Sequence, residues 1–328
     1  MNNAGIIGLG MYVPDKIITN LDLEKIVDTS DEWIKTRTGI EQRRIADENI
    51  FTSDLAVAAA ERALKDAGMQ PEEVELIIVA TCTPDMYSPS TACIVQHKIG
   101  AIKAAALDVN AACSGFIYGI TVANQFISNG YYKNALVIGA ETLSKVTDWK
   151  DRNTCVLFGD GAGAVILKPV AKDTGIMATH LGADGSLGKH LTIPGLFIDS
   201  LELEKRSSEN PRTVWMNGTE VFKFAVKIMT DAAHAVLNTL DININDVDLI
   251  IPHQANIRIV EGAAKRLKVS KDKIFINIQK YGNTSAASVP IALYEAVQEG
   301  HVKKDDLLIL VGFGGGLTWG SAAIKWVK

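Results

Sequence analysis

EVELIIVA (Glu73 to Ala80) returns as DVDLIIPH (Asp246 to His253), the same acidic lead into an apolar run, 173 positions later. At nearly that offset ALVIGAE (Ala135 to Glu141) faces LILVGFGGG (Leu308 to Gly316), which sets Gly139 opposite Gly312 and Cys113 opposite Ala286 in GNTSAAS. A period this long belongs to a whole domain and not to a solenoid. The chain therefore reads as two similar halves, residues 1–171 and 172–328, joined through the polar, charge-rich stretch around Lys168 to Arg212.

Within each half, β-rich apolar runs alternate with Ala-rich helical ones, the order expected of an α/β protein. The segment SDLAVAAAERALKDAG (Ser53 to Gly68) offers Ser53 as N-cap, apolar residues at three-to-four spacing and a closing glycine, and so predicts a helix. Runs such as LIIVA are apolar at every position, which implies strands covered on both faces. Two sheets sandwiching helices is the architecture this predicts.

Composition narrows the function. The 328 residues hold 47% hydrophobic and 22% charged side chains, ordinary for a globular chain and unlike a disordered one. Thirty-three basic residues against 38 acidic ones give a formal charge of −5, which provides no chain-wide attraction for nucleic acid or anionic lipid. The N-terminal MNNAGIIGLGMYVPD lacks the basic region and cleavage site of a signal peptide, and no apolar run approaches the ~18 residues of a membrane span. Cys82, Cys93, Cys113 and Cys155 form no CxxC pair and no secretory framework, so free thiols and a cytoplasmic setting are expected. Gly8-Leu9-Gly10 imitates a dinucleotide fingerprint, but Val13-Pro14 follows where a glycine and a helix are required. No residue grouping has zinc spacing.

Chemistry concentrates at strand-to-helix junctions. In LDVNAACSGFIYGI a strand ending near Val109 leads to a helix starting close to Ser114, which places Cys113 at a helix N-terminus where a thiolate is favoured. Cys82, Cys93 and Cys155 read as buried structural thiols. His253 leaves the end of DLIIP, where Pro252 keeps the preceding residue extended. Asn283, in KYGNTSAAS, sits in the second-half loop opposite Cys113; by itself it is equally an ordinary turn and N-cap. Pseudo-symmetry would aim these junctions at a common centre, making Cys113, His253 and Asn283 a candidate active site. The glycines of VGFGGGLTWGS (Val311 to Ser321) allow backbone N–H groups close to an oxyanion.

AACSGF, IIPHQANIRI, KYGNTSAASVP and GFGGGLTWGS, in this order, resemble the β-ketoacyl-[acyl-carrier-protein] synthase III family of the thiolase superfamily. The resemblance runs from GLGMYVP to the C-terminus. It implies a five-layered α-β-α-β-α fold of two duplicated halves with mixed sheets, usually a homodimer, with the nucleophilic cysteine in the first half and His, Asn and the Gly-rich loop in the second. It further implies that Cys113 takes an acyl group from a short acyl-CoA, and that the N–H groups of Cys113 and Gly315 form the oxyanion hole. His253, as its Nε2–H tautomer, and Asn283 then hold the thioester carbonyl of malonyl-acyl-carrier protein while CO2 leaves and the carbanion attacks the acyl-cysteine. CoA is a substrate, and neither metal nor redox cofactor is called for. CoA contacts are carried over to Trp33, Arg37, Arg152, Met216, Gly218 and Asn256, and acyl-carrier-protein contacts to Lys223, Arg258, Lys265 and Arg266. A related acyltransferase making quinolone, polyketide or ester products would use the same three residues. A Cys-His-Asn hydrolase would use them to activate water, although the papain-type CGSCW string is missing, and a non-catalytic scaffold would carry no acyl group.

Overall fold

Each apolar run of the repeat becomes a strand. The computed structural model describes residues 2–195 and 212–328. In chain order the principal elements are Asn3–Tyr12 (β1), Asp31–Thr38 (α1), Thr52–Ala67 (α2), Leu76–Ala80 (β2), Thr91–Ile99 (α3), Ala105–Val109 (β3), Gly115–Ser128 (α4), Ala135–Thr142 (β4), Asp160–Val170 (β5), Gly175–Ala183 (β6), Gly218–Leu240 (α5), Leu249–Pro252 (β7), Ile257–Leu267 (α6), Ser288–Gln298 (α7), Leu307–Gly314 (β8) and Thr318–Lys325 (β9).

The first sheet runs β1-β5-β4-β2-β3 and the second β6-β9-β8-β7. In both, a parallel pair is extended by antiparallel neighbours: β2 lies parallel to β4 with Ile77 opposite Leu136, and β7 parallel to β8 with Leu249 opposite Leu308. The counterpart of β3 is reduced to a single bridge between Ile250 and Ile274.

Side chains alternate across a strand with period two, and here both faces are apolar because both are covered. Leu76 and Ile78 of β2, Val137 of β4, Ile251 of β7 and Leu310 of β8 point into the central layer with Phe116, Ile117 and Ile120 of α4 and Val289, Ala292 and Leu293 of α7. Ile77 and Val79 turn the other way, against α2 and α3, while Ile250, Ile309 and Val311 meet α5 and α6. Five layers result, with α4 and α7 buried between the sheets; each large apolar side chain there contributes about 1.5–3 kcal/mol by leaving water.

The described start of the stretch from Lys168 to Arg212 is built into the two sheets. Lys168 lies in β5, a turn from Ala171 to Thr174 carries the exposed Lys172 and Asp173, and β6 begins at Gly175 and pairs along β9. The 171/172 division of the sequence falls in that turn between sheets; residues 196–211, which hold half of the charged side chains of the stretch, lie outside those described. The N-cap of α2 is Phe51 and not Ser53. With no acceptor on the Phe51 side chain, Asp85 Oδ1 accepts the Ser53 N–H at 2.8 Å and Asp54 Oδ2 the Phe51 N–H at 2.9 Å. Cys93 is exposed, and only Cys155 fits the expectation of a fully buried structural thiol.

Candidate active site

Pseudo-symmetry brings the junctions together at the centre of the sandwich. Between β3 and α4 the chain makes one tight turn, Ala112–Ser114, and after Asn283 it makes the matching turn, Ser285–Ala287, before α7. The two turns share an unusual backbone: Ala112 at φ 45° and Ser285 at φ 49°, non-glycine residues in the left-handed region. Such strain persists only where the surroundings over-determine it. Here Ser114 Oγ donates to Ala111 O at 2.8 Å and Thr318 Oγ1 to the same carbonyl at 2.9 Å. Gly314 is required behind this turn, because a Cβ there would lie 2.5 Å from Cys113 N.

Cys113 is 8% exposed. Burial pushes its thiol up to about 12, against the help of a nearby Ser285 hydroxyl, and the charge of Glu141 acts in the same direction as burial. The helix-end expectation of a lowered pKa is therefore overturned: in this desolvated pocket the group rests as a thiol.

His253 follows β7, its N–H donating to Val311 O at 2.8 Å. Its ring is packed edge-on to Phe313, centroids 5.4 Å apart, and Nδ1 lies 2.6 Å from Ser288 Oγ. Ser288 Oγ accepts the Gln254 N–H at 3.4 Å, so its own proton is available to donate to Nδ1. That assignment leaves the hydrogen on Nε2, a buried atom without a partner among the described residues. Burial lowers the imidazole to about 3, so the ring is neutral near pH 7. Gly312 stands between the two groups, since a Cβ there would lie 3.4 Å from His253 Cβ and 3.7 Å from Cys113 O.

Asn283 is held on three sides: its N–H donates to Leu157 O at 2.9 Å, its C=O accepts from Gly159 N at 3.1 Å, and its Oδ1 accepts the Ser285 N–H at 2.8 Å. The amide can then present only Nδ2, which makes no hydrogen bond to any described residue. Cys113, His253, Asn283 and Gly315 all line one cavity of about 910 Å³, which reaches out to Trp33 and the exposed Arg37. A thiol, an N–H donor and an NH2 donor thus face a common space, an arrangement suited to acyl transfer with a stabilised carbonyl oxygen.

Two sequence profiles match the chain: 3-Oxoacyl-[acyl-carrier-protein (ACP)] synthase III over residues 107–185, and 3-Oxoacyl-[acyl-carrier-protein (ACP)] synthase III C terminal over residues 237–326. The beta-ketoacyl-[acyl-carrier-protein] synthase III of Caldanaerobacter subterraneus subsp. tengcongensis is 58% identical over 325 residues, 99% of this chain and 98% of that one. The chain belongs to the synthase III family. Its namesake from Geobacillus kaustophilus is 56% identical over 98% of this chain and 99% of its own. The crystal structure of the synthase III from Aquifex aeolicus VF5 matches at TM-score 0.92 and 50% identity, covering 98% of this chain and all of that one. The duplicated five-layer, thiolase-like architecture is the fold of this family.

In this synthase III the remaining sequence-predicted residues fall in two places. Trp33, Arg37, Met216, Gly218 and Asn256 line the same cavity as Cys113. Arg152 does not line it; its guanidinium stacks 5.0 Å from the Trp33 ring centroid, with that of Arg37 at 5.8 Å. Lys223 on α5 and Arg258, Lys265 and Arg266 on α6 are all exposed. Lys223 is paired with Glu220 at 2.8 Å and Arg258 lies over the Phe222 ring at 5.7 Å, while Lys265 and Arg266 form no ion pair among the described residues.

Sequence reasoning missed Ser288, Ser285, Glu141 and Cys82. Cys82 lines the cavity and donates through its thiol to Glu141 at 3.2 Å, which corrects its reading as a structural core thiol. One signal was available for Glu141: a carboxylate ending an otherwise apolar strand run.

Proposed function

We propose that this synthase III is the initiating condensing enzyme of type II fatty acid synthesis. Cys113 attacks the thioester of a short acyl-CoA, acetyl-CoA in the simplest case, and releases CoA; the N–H groups of Cys113 and Gly315 hold the oxyanion. Malonyl-acyl-carrier protein then enters, and His253 Nε2–H and Asn283 Nδ2–H donate to its thioester carbonyl. The C–CO2 bond breaks, the electron pair becomes an enolate, and that carbon attacks the acyl-cysteine, breaking its C–S bond to give 3-ketoacyl-carrier protein and the Cys113 thiolate, which takes up one proton from solvent to return to the thiol. The carrying observation is the convergence of a buried thiol, an unpartnered imidazole N–H and an amide NH2 on one cavity.

The neutral imidazole favours this over the hydrolase reading: with Ser288 donating to Nδ1, the hydrogen sits on Nε2 and no lone pair is left to activate sulfur or water. The three groups serve equally in an acyltransferase of secondary metabolism. Trp33, flanked by Arg37 and Arg152, offers a surface for the adenine of CoA, with Met216, Gly218 and Asn256 deeper along the path. Lys223, Arg258, Lys265 and Arg266 form the local positive face for an acidic carrier protein, in a chain whose net charge of −5 offers nothing to nucleic acid. No helix among the described residues is long and apolar enough to cross a membrane, and we read the enzyme as cytoplasmic. The chemistry calls on no metal or redox cofactor. The partly exposed strand β3 at the sheet edge supports homodimer formation by pairing with a second copy.

The test is product analysis with acetyl-CoA and malonyl-acyl-carrier protein. Formation of acetoacetyl-carrier protein with one CO2 per condensation is expected; release of free acetate alone would indicate the hydrolase. Replacing acetyl-CoA by straight, branched and longer acyl-CoAs then distinguishes a chain-initiating enzyme from an acyltransferase of secondary metabolism.

A further inference from the structure

Glu141, next to last in β4, has none of its surface exposed, and no cation among the described residues pairs with it. Its oxygens accept instead from Thr83 Oγ1 at 2.5 Å, Ser285 Oγ at 3.0 Å, Thr81 Oγ1 and the N–H groups of Cys82 and Thr83 at 3.1 Å, and Cys82 Sγ at 3.2 Å. A carboxylate without a counter-ion is costly to bury unless its lone pairs are satisfied in this way. This site joins the cavity through Ser285, which lines the cavity beside Cys113 and stands close enough to the thiol to favour its ionised form. With its only proton donated to Glu141, Ser285 Oγ has lone pairs left to accept.

Acylation of a thiol requires somewhere for its proton to go. With Ser288 donating to Nδ1, the assignment made above, His253 has no free lone pair to take it. We propose that Glu141, reached through the Ser285 hydroxyl, is the acceptor of the Cys113 proton during acyl transfer. As Sγ bonds to the acyl carbon, the S–H bond breaks and its proton passes to Ser285 Oγ, whose own proton passes to Glu141 Oε1. When the CoA thiolate leaves, the relay runs back and protonates it, so that acyl-CoA and thiol become acyl-cysteine and CoA–SH with nothing else consumed. Burial raises the basicity of Glu141 and disfavours its lasting charge, as suits a proton acceptor. The titratable groups bearing on the relay are the Cys82 and Cys113 thiols.

This rests on Cys113 being the nucleophile, and the experiment separates the two claims. Rapid-quench intact-mass measurement of acetylation by acetyl-CoA is made on the wild-type protein, Glu141→Gln and Ser285→Ala across pH 6 to 10. Wild-type protein should gain one acetyl group at Cys113 at a rate nearly flat with pH. Both variants should acetylate about 10²- to 10⁴-fold more slowly at pH 7, recovering roughly tenfold per pH unit as solvent base replaces the relay. Chemically pre-acetylated variants should lose discharge to malonyl-carrier protein far less than they lose acetylation. A wild-type rate and pH profile in both variants overturns the relay, as does an equal loss of acetylation and discharge without pH recovery, which marks a structural role. No acetyl gain by wild-type protein overturns the nucleophile itself.

Discussion

Ser288→Ala removes one oxygen and, with it, the only hydrogen bond that the described residues make to the His253 ring, the 2.6 Å contact at Nδ1. A neutral hydrogen bond contributes about 0.5–1.5 kcal/mol, and a buried acceptor left bare costs about 1–3 kcal/mol. Both fall on His253, which is 1% exposed. The ring loses its fixed orientation, and the Nε2–H tautomer loses its advantage. At about 1.4 kcal/mol per tenfold in rate, decarboxylation of malonyl-carrier protein should slow by roughly 10- to 100-fold, with a thermal midpoint lower by a few degrees. Acetylation of Cys113, which makes no use of the imidazole, should keep its rate. The assay is carboxyl-labelled CO2 release from desalted acetyl-enzyme beside quench-flow mass measurement of acetylation. Unchanged CO2 release, or an equal fall in both steps, would refute the reasoning.

Four further outcomes follow from the geometry. Gly314→Ala places a methyl group 2.5 Å from Cys113 N, a backbone atom that cannot step aside; an overpacking cost of about 1–3 kcal/mol and strongly impaired acetylation are expected from denaturation and mass measurements. His253 titrates at 6.5 when unperturbed and at about 3 when folded. The unfolded chain therefore holds the extra proton between those values, and stability present above the upper one is lost as pH falls, with a slope of up to about 1.4 kcal/mol per unit. His253→Asn should flatten urea-derived stability over that window relative to wild type; parallel curves would contradict the assignment. Charge reversal of Lys265 and Arg266 together should raise KM for malonyl-carrier protein about tenfold at low salt, with the difference closing as salt is added and acetyl-CoA kinetics unchanged. Trp33→Ala should raise KM for acetyl-CoA by roughly 3- to 30-fold yet leave acetylation by a truncated thioester lacking adenine intact.

The repeat of EVELIIVA in DVDLIIPH was enough to read both sheets and the symmetry that sets Cys113 against the Asn283 loop, because strands covered on both faces are continuous apolar runs in sequence. What the pattern concealed depends on three-dimensional surroundings. Ser285 and Glu141 are 144 residues apart, and neither carries a local signal of the other. The left-handed backbone of Ala112 and Ser285 is imposed by packing around the two turns, not by residue type, since neither is glycine. The thiol pKa went the wrong way because a helix start is visible in sequence whereas desolvation is not. The described start of the Lys168 to Arg212 stretch misled for the opposite reason: exposed Lys172 and Asp173 in a tight turn read in sequence like the charges of a tether.

The central claim is a division of labour within one cavity, with sulfur accepting the acyl chain and the imidazole and amide acting only on the malonyl carbonyl. Single-turnover mass spectrometry of His253→Ala and Asn283→Ala tests it most directly. Each variant should accumulate acetylated Cys113 on mixing with acetyl-CoA and hold that adduct after malonyl-carrier protein is added, whereas wild-type protein discharges it. Failure of either variant to become acetylated, or normal discharge by both, would contradict the account.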